Sequence, residues 1–361
     1  MASEPNDGQK DEAADEAEGE GGDPRIEAAW QALESGDVAE ARRQAEALDA
    51  ESPETLLLLG ACCREEEDDA QAIAILKRAA AADPDWATPE LWLGEILAGD
   101  PESTAEALRH AARALDLTDD ESEFLSAVAL KAGLETEMGE TEEAKRTLAE
   151  LPPPEVRLED LDLALEIADL QLALGDAEAA RERLRLLCEA SPTMADAWYA
   201  LGCAAEQLED ETEMRAAWRR TWALDAAPNA TDGTGSGGAD RLSEGEVAEV
   251  AEAALGELPP RARALLQGIP IVIAELPAEA DVTTGLDPRV LGLFSGTAHG
   301  DGATGLGGQP GLTQIVLFRR NLERASRDED ELREEIRTTL LHETGHFFGL
   351  DDAALEELGL G

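Results

Sequence analysis

Residues 341–352 read Leu341-His342-Glu343-Thr344-Gly345-His346-Phe347-Phe348-Gly349-Leu350-Asp351-Asp352. Histidines four residues apart on a helix project from one face, so the imidazoles of His342 and His346 can reach one divalent ion. A carboxylate at position 343, not itself a ligand, can act as a general base toward water at that ion. The pattern predicts a metal centre on a helix with Glu343 as its catalytic residue.

A third ligand is expected just after this helix. Gly349 can end the helix with a positive φ and reverse the chain, so that the carboxylate of Asp352 returns toward the metal. A second interpretation stays open, because Asp351 or Asp352 also suits the N-cap of a short closing helix over 353–358, and a cap needs no metal.

The composition limits the classes of partner. The chain has 361 residues, enough for two or three domains, and a formal net charge of -52, which disfavours nucleic acid and anionic membranes. No apolar run is long enough to span a bilayer, and the first residues lack the features of a signal peptide, so we expect a cytoplasmic protein. The scarcity of lysine suits either a salty environment or a simple need for solubility.

The four cysteines lie outside the motif region, at positions 62, 63, 188 and 203. Adjacent cysteines on a helix point in different directions and pair poorly. We therefore expect buried thiols in a reducing compartment, not a disulfide framework or a second metal site.

Residues 24–225 contain an internal repeat. Gly60 and Gly94 each follow a leucine and lie 34 residues apart, and residues 198–202 read Trp-Tyr-Ala-Leu-Gly. This pattern resembles about six tetratricopeptide repeats, whose stacked helix pairs form an all-α superhelix with a concave face that binds a protein or peptide. Alternatively, the array packs against the C-terminal domain or drives self-association.

Composition shifts divide the chain further. We expect a disordered acidic tail over 1–23, the helical repeats over 24–225, a flexible linker over 226–240 and a compact domain over 241–361. In the last domain we predict a helix over 243–256, strands over 269–276, 290–294 and 313–318, and a long helix over 328–348. The glycine-rich segment 296–311 is expected to be a mobile lid or a hairpin connection.

The C-terminal region resembles the small zincin-like metallopeptidases, sometimes called minimal zincins. Their His-Glu-x-x-His-x-x-Gly-x-x-Asp motif is met by His342, Glu343, His346, Gly349 and Asp352, and residues 292–297, 315–319 and 351–358 are also similar. The resemblance implies a small α/β domain, one zinc ion and hydrolysis of peptide bonds. The fold class predicted for the whole chain is therefore a tetratricopeptide superhelix followed by a small zincin-like domain.

This domain differs from larger zincins. It contains no methionine for a methionine turn, and Glu356 or Glu357, the candidates for a downstream glutamate ligand, lie very close in sequence to His346. Candidates for stabilising an oxyanion are His299, Arg319 and Arg320. An exposed strand edge, in 290–294 or in 313–318, could hold an extended substrate.

Two other functions remain open. The chain could be an interaction protein in which the repeats do the work and the metal site is structural or vestigial, or it could hydrolyse a non-peptide amide. Glu343 favours an enzyme, because a purely structural metal site does not need a base.

Overall fold

The computed structural model of the protein describes residues 23–227, 242–258, 260–296 and 313–350. The chain divides into two compact units, Met1–Pro152 and Pro153–Gly361, and each is described by itself. No helix among these described residues is long and apolar enough to cross a membrane.

The described part of the first unit consists of helices arranged in sequential pairs. They are α1 (Pro24–Glu34), α2 (Val38–Ala45), α3 (Pro53–Glu65), α4 (Asp69–Ala82), α5 (Ala87–Ala98), α6 (Thr104–Leu117), α7 (Glu121–Glu137) and α8 (Thr141–Leu148). Aspartates start several of them, since the side chains of Asp37, Asp68 and Asp120 accept backbone N–H groups of the first turn. The pairs α1–α2, α3–α4, α5–α6 and α7–α8 each pack together.

The second unit begins with two more pairs of the same kind. They are α9 (Leu161–Ala173), α10 (Ala177–Ala190), α11 (Ala195–Gln207) and α12 (Glu211–Asp225). A Cβ added at Gly202 would overlap the ring of Trp218, so this glycine allows α11 to pack closely on α12. Six helix pairs in residues 24–225 confirm the predicted all-α repeat array.

The remaining described residues form a small α/β domain. Its elements are α13 (Glu244–Glu257), α14 (Pro260–Leu266), β1 (Ile271–Ala274), α15 (Glu279–Thr284), β2 (Gly292–Ser295), β3 (Gln314–Phe318), α16 (Arg319–Ala325) and α17 (Glu329–Phe347). The predicted fold class, helical repeats followed by a small α/β domain, is thus confirmed.

The sheet has the strand order β1-β3-β2, with β1 parallel and β2 antiparallel to β3. Because β3 is paired on both sides, the expectation that 313–318 offers an exposed edge is wrong. Among the described strands, β2 is paired on one side only, by β3. The sequence pattern predicts this strand over 290–294, but the ladder with β3 runs from Gly292 to Ser295, and the carbonyl of Val290 accepts instead from the Asn321 side chain.

The core of this domain lies between α17, α13 and the sheet. Leu332, Ile336 and Leu340 of α17 are buried in one cluster with residues of α13 and β3. Both long helices start as predicted: Ser243 forms a capping box with Glu246, and Asp328 accepts the backbone N–H of Glu331. The short helices α14, α15 and α16 were not predicted, since their apolar spacing is too brief to show a period.

Candidate metal centre

His342 and His346 lie one turn apart near the C-terminal end of α17, and both side chains are half-buried. Their Nε2 atoms are 3.0 Å apart, and the rings meet edge to face with centroids 4.7 Å apart. Two nitrogens bound about 2 Å from one tetrahedral zinc ion would be separated by roughly 3.3 Å. The two Nε2 atoms therefore have a spacing that fits a shared ion.

The other nitrogen of His346 has a backbone partner. Nδ1 lies 3.1 Å from the carbonyl oxygen of Leu350. When Nδ1 donates its proton to this carbonyl, Nε2 keeps the lone pair that a metal ligand needs. This contact orients the ring as well as selecting its tautomer.

The turn after α17 places that carbonyl. Gly349 has φ +81°, its N–H donates to the carbonyl of His346, and the N–H of Leu350 donates to the carbonyl of Gly345. This pair of hydrogen bonds is a Schellman C-cap, which favours glycine at the left-handed position. The positive φ agrees with the role expected for Gly349 as the structural turn of the motif.

Glu343 is buried, with 7 % of its surface exposed. Its Oε2 accepts a hydrogen bond of 2.5 Å from the backbone N–H of Phe294 in β2. Phe318 donates its N–H to the carbonyl of Leu291, and because hydrogen-bonded pairs alternate along an antiparallel ladder, the N–H of Phe294 faces away from β3. The carboxylate is therefore anchored on the edge of β2 that faces away from β3.

The close approach of β2 and α17 depends on Gly292. A Cβ built there would lie 2.7 Å from Thr339 Cγ2 and 3.1 Å from Glu343 Cγ. The ring of Phe294 also contacts that of Phe347, edge to face at 6.0 Å. Sequence reasoning did not identify Gly292 or Phe294 as supports of the site; a glycine opening a strand next to apolar residues is the available signal of a close contact.

Arg319 and Arg320 follow β3 at the start of α16. The guanidinium of Arg319 forms ion pairs with Glu275 at 2.7 Å and Glu323 at 2.6 Å. Burial opposes the charge of Arg319, but these carboxylates outweigh it and raise its pKa. The backbone N–H of Arg320 donates to the carbonyl of Glu275. These contacts attach Arg319 to the end of β1.

Other expected site residues lie outside the described part of the chain. These are Asp352, the candidate third ligand, His299, and the alternative glutamates Glu356 and Glu357. The closing helix, the glycine-rich segment beyond Gly296 and most of the expected linker lie there too. Within the described residues, no group of three or more His, Cys, Asp or Glu side chains is arranged to hold a metal ion. Of the three expected ligands, His342 and His346 lie in the described part of the chain, and their binding of a metal stays a prediction.

Comparison with known proteins gave matches for both parts of the chain. The helical region resembles Pseudomonas aeruginosa PilF, with 19% identity over 56% of this chain and 90% of that chain and a TM-score of 0.46. PilW, a type IV pilus biogenesis factor, has 17% identity over 55% of this chain and 91% of that one, with a TM-score of 0.46. YrrB is described as a tetratricopeptide protein with an unusual peptide-binding site. It has 16% identity over 55% of this chain and 93% of that chain, with a TM-score of 0.39.

A search of curated proteins gave no match. A comparison with protein families gave a match to the family described as zincin-like metallopeptidase. Residues 266–361 of this chain match the zincin-like metallopeptidase family.

Proposed function

We propose that this chain is a zinc-dependent peptidase whose repeats bind a protein partner or substrate. The observation that carries the proposal is the combination, on one helix, of two converging imidazole nitrogens and a buried glutamate anchored on a strand edge. The family match over residues 266–361 supports the same class of reaction.

His342 and His346 would hold the zinc ion together with Asp352. When bound, zinc polarises the carbonyl group of the substrate and makes the attacking water more acidic. Because Nδ1 of His346 contacts the Leu350 carbonyl, the lone pair for the metal is on Nε2.

Glu343 would take the proton from the attacking water and pass it to the leaving amine. The N–H of Phe294 fixes the orientation of this carboxylate, because accepting at Oε2 restricts its rotation. Burial of Glu343 keeps its hydrogen bond in a low-dielectric surrounding, where it is stronger than in water. A base held in position before the reaction needs little reorganisation during it.

The edge of β2 that faces away from β3 is the place where an extended substrate could pair by main-chain hydrogen bonds. Gly292 lies two residues before Phe294 in the ladder with β3, so both belong to non-hydrogen-bonded pairs. The N–H and carbonyl of Gly292 therefore also face outward. An outward-facing edge next to the glutamate would bring a peptide bond close to the base.

Substitution of Glu343 by glutamine tests the proposal. The amide keeps the shape and the N–H contact of the side chain, but it cannot accept a proton. We expect the purified Glu343→Gln protein to retain zinc and to lose casein hydrolysis by a factor on the order of 100 to 10,000. Zinc content is measured by elemental analysis and turnover by release of peptides.

Glu334→Gln is the matched control, because Glu334 lies on the same helix and pairs with Arg337 in an exposed ion pair. This variant should hydrolyse casein at the wild-type rate. Wild-type turnover by Glu343→Gln would contradict the role of the base. Retained zinc with no turnover even in the unmodified protein would instead favour an interaction protein with a structural metal site.

The thiols support a reducing compartment, and we propose the cytoplasm. All four cysteines are free. Burial raises the pKa of Cys188 to about 12 and that of Cys62 to about 11. Thiols with such high pKa values are inert, which is typical of small core residues.

A further inference from the structure

An apolar interface joins the last helix pair to the α/β domain within the unit Pro153–Gly361. Val282 of α15 is fully buried in a cluster with Met214 and Trp218 of α12. Trp222, also in α12, donates its Nε1–H to the carbonyl of Pro277 at 2.9 Å. Because buried apolar contacts and a satisfied indole are features of a domain core, α11 and α12 are packed on the α/β domain as part of it.

A buried ionic cluster lies in the same interface. The carboxylate of Asp225, at the end of α12, has 4 % of its side chain exposed and sits between two guanidinium groups. Arg324 Nη2 lies 2.9 Å from its Oδ1, and Arg289 Nε lies 3.2 Å from its Oδ2. Arg289 also pairs with Asp196 of α11 at 2.7 Å. A buried carboxylate in this setting depends on its partners, since removing one leaves charge uncompensated.

A second set of contacts fixes the backbone around Arg289. Its guanidinium lies over the ring of Tyr199, 4.7 Å from the centroid. The Tyr199 hydroxyl donates to Asp287 Oδ2 at 3.0 Å, and the backbone N–H of Arg289 donates to Asp287 Oδ1 at 2.7 Å. Burial opposes the charge of Arg289, but Asp225 and Asp196 outweigh it and raise its pKa, so this group stays charged.

The segment held by these contacts leads directly into β2. Arg289 precedes Gly292, the first residue of that strand, by three positions. The same segment also contacts α16, where the buried Asn321 donates to the carbonyls of Pro288 at 3.0 Å and Val290 at 2.8 Å. The segment that precedes β2 is therefore held by contacts with both α16 and the last helix pair.

We propose that α11 and α12 act as a positioning element for the metal centre. The ionic cluster, defined as Asp196, Asp225, Arg289 and Arg324, sets the place of β2 against α17 and thereby the hydrogen bond from Phe294 to Glu343. The expected effect on hydrolysis rests on the proposed peptidase function, whereas the expected effect on the position of β2 does not. Arg289 is a positioning residue in this scheme, because it acts on Glu343 through the strand.

Arg289→Gln in the full chain tests this proposal through amide hydrogen exchange and steady-state kinetics. We expect exchange in residues 290–296 to become about tenfold faster, while exchange in α13 stays unchanged. In casein-derived peptide hydrolysis, kcat should fall on the order of 100-fold and KM should rise as well, because β2 carries both the anchor of the base and the proposed substrate edge.

Two further variants make the result specific. Arg333→Gln removes an exposed guanidinium paired with Glu329 on α17 and should leave both measurements unchanged. Tyr199→Phe removes one hydroxyl and keeps the ring beneath Arg289. This milder variant replaces Arg289→Gln in the exchange measurement if Arg289→Gln does not fold. It should raise exchange in 290–296 by a few-fold.

The outcomes separate the two proposals. Exchange in 290–296 that is unchanged in the folded variants, or that rises equally throughout Pro153–Gly361, overturns the positioning role. A local rise in exchange without hydrolysis by the unmodified protein supports positioning and contradicts the peptidase function. Wild-type kcat in Arg289→Gln with unchanged exchange contradicts positioning and leaves the peptidase function standing.

Discussion

At the residue scale, the geometry of Glu343 depends on a side chain that is missing at Gly292. The strand can approach α17 closely because no Cβ stands between them, and this approach brings the N–H of Phe294 within 2.5 Å of Glu343. A backbone donor is a good anchor for a catalytic carboxylate, because it has no side-chain freedom of its own. The supporting strand therefore matters to the site as much as the helix that carries the glutamate.

Gly292→Ala should separate the strand from the helix. The added Cβ would lie 2.7 Å from Thr339 Cγ2 and 3.3 Å from the Val316 carbonyl oxygen, so the strand has to shift. We expect a loss of about 1–3 kcal/mol in the free energy of unfolding. Urea denaturation measures this loss, and peptide hydrolysis should fall with it.

Gly256→Ala is the control for that substitution. Nothing lies within 4 Å of a Cβ at Gly256, which is in α13. Alanine there should leave stability unchanged or raise it by up to ~1 kcal/mol, because glycine is the poorer helix former. Equal stability of the Gly292→Ala and wild-type proteins would show that the strand can shift without strain.

At the element scale, α17 carries core residues on one side and the two candidate metal ligands on another. Leu332, Ile336 and Leu340 are buried against the sheet and α13, while His342 and His346 are half-buried. The 3.6-residue period of a helix places the core residues and the histidines on different faces. The C-cap at Gly349 ends the helix shortly after His346. Stability and site geometry are thus coupled through a single element.

Leu340→Ala should be strongly destabilising for this reason. Leu340 is fully buried in the domain core, and removing three carbons there leaves a cavity, so we expect a loss of about 2–5 kcal/mol in the free energy of unfolding. Leu265→Ala, at a side chain 39% exposed, should cost about 0.5 kcal/mol or less. Denaturation of both variants followed by circular dichroism checks the difference, and equal losses would contradict the assigned core.

At the scale of the whole molecule, the helical repeats divide between two units. The pairs α1–α2 to α7–α8 belong to Met1–Pro152, and the pairs α9–α10 and α11–α12 belong to Pro153–Gly361 with the candidate metal centre. Removing the entire range 24–225 would also remove the contacts of Asp225 and Tyr199 with the α/β domain. A test of partner recruitment should therefore remove residues 24–152.

Substrate trapping with Glu343→Gln should depend on that first unit. We expect the full-length variant to capture proteins that the same variant lacking 24–152 does not, because stacked helix pairs offer an extended binding surface. Mass spectrometry of the captured proteins compares the two. The unmodified chain lacking 24–152 should retain hydrolysis of short peptides, which is the control for an intact site. Capture of the same proteins by both forms would contradict recruitment by the first unit.

Local sequence determined much of this protein. The spacing of His342 and His346, the stripe from Leu332 to Leu340 and the cap at Asp328 all lie within one helix, where geometry follows from sequence separation alone. The repeat pattern likewise identified the helix pairs, because each pair folds from neighbouring residues. Gly349 belongs to the same group, since its left-handed turn is a local requirement of the C-cap.

Other features depend on contacts between distant segments: the pairing of β3 with both β1 and β2, the backbone group that holds Glu343, and the contacts that join α11 and α12 to the α/β domain. Phe294 and Glu343 are 49 residues apart, and Asp225 and Arg289 are 64 apart. No hydrophobic period marks such pairs, because strand order and buried charge pairing arise only when distant segments pack together. The helix with the two histidines and Glu343 can therefore be predicted from the sequence, while the strand that contacts Glu343 and the helix pair that contacts Arg289 are found only in the folded structure.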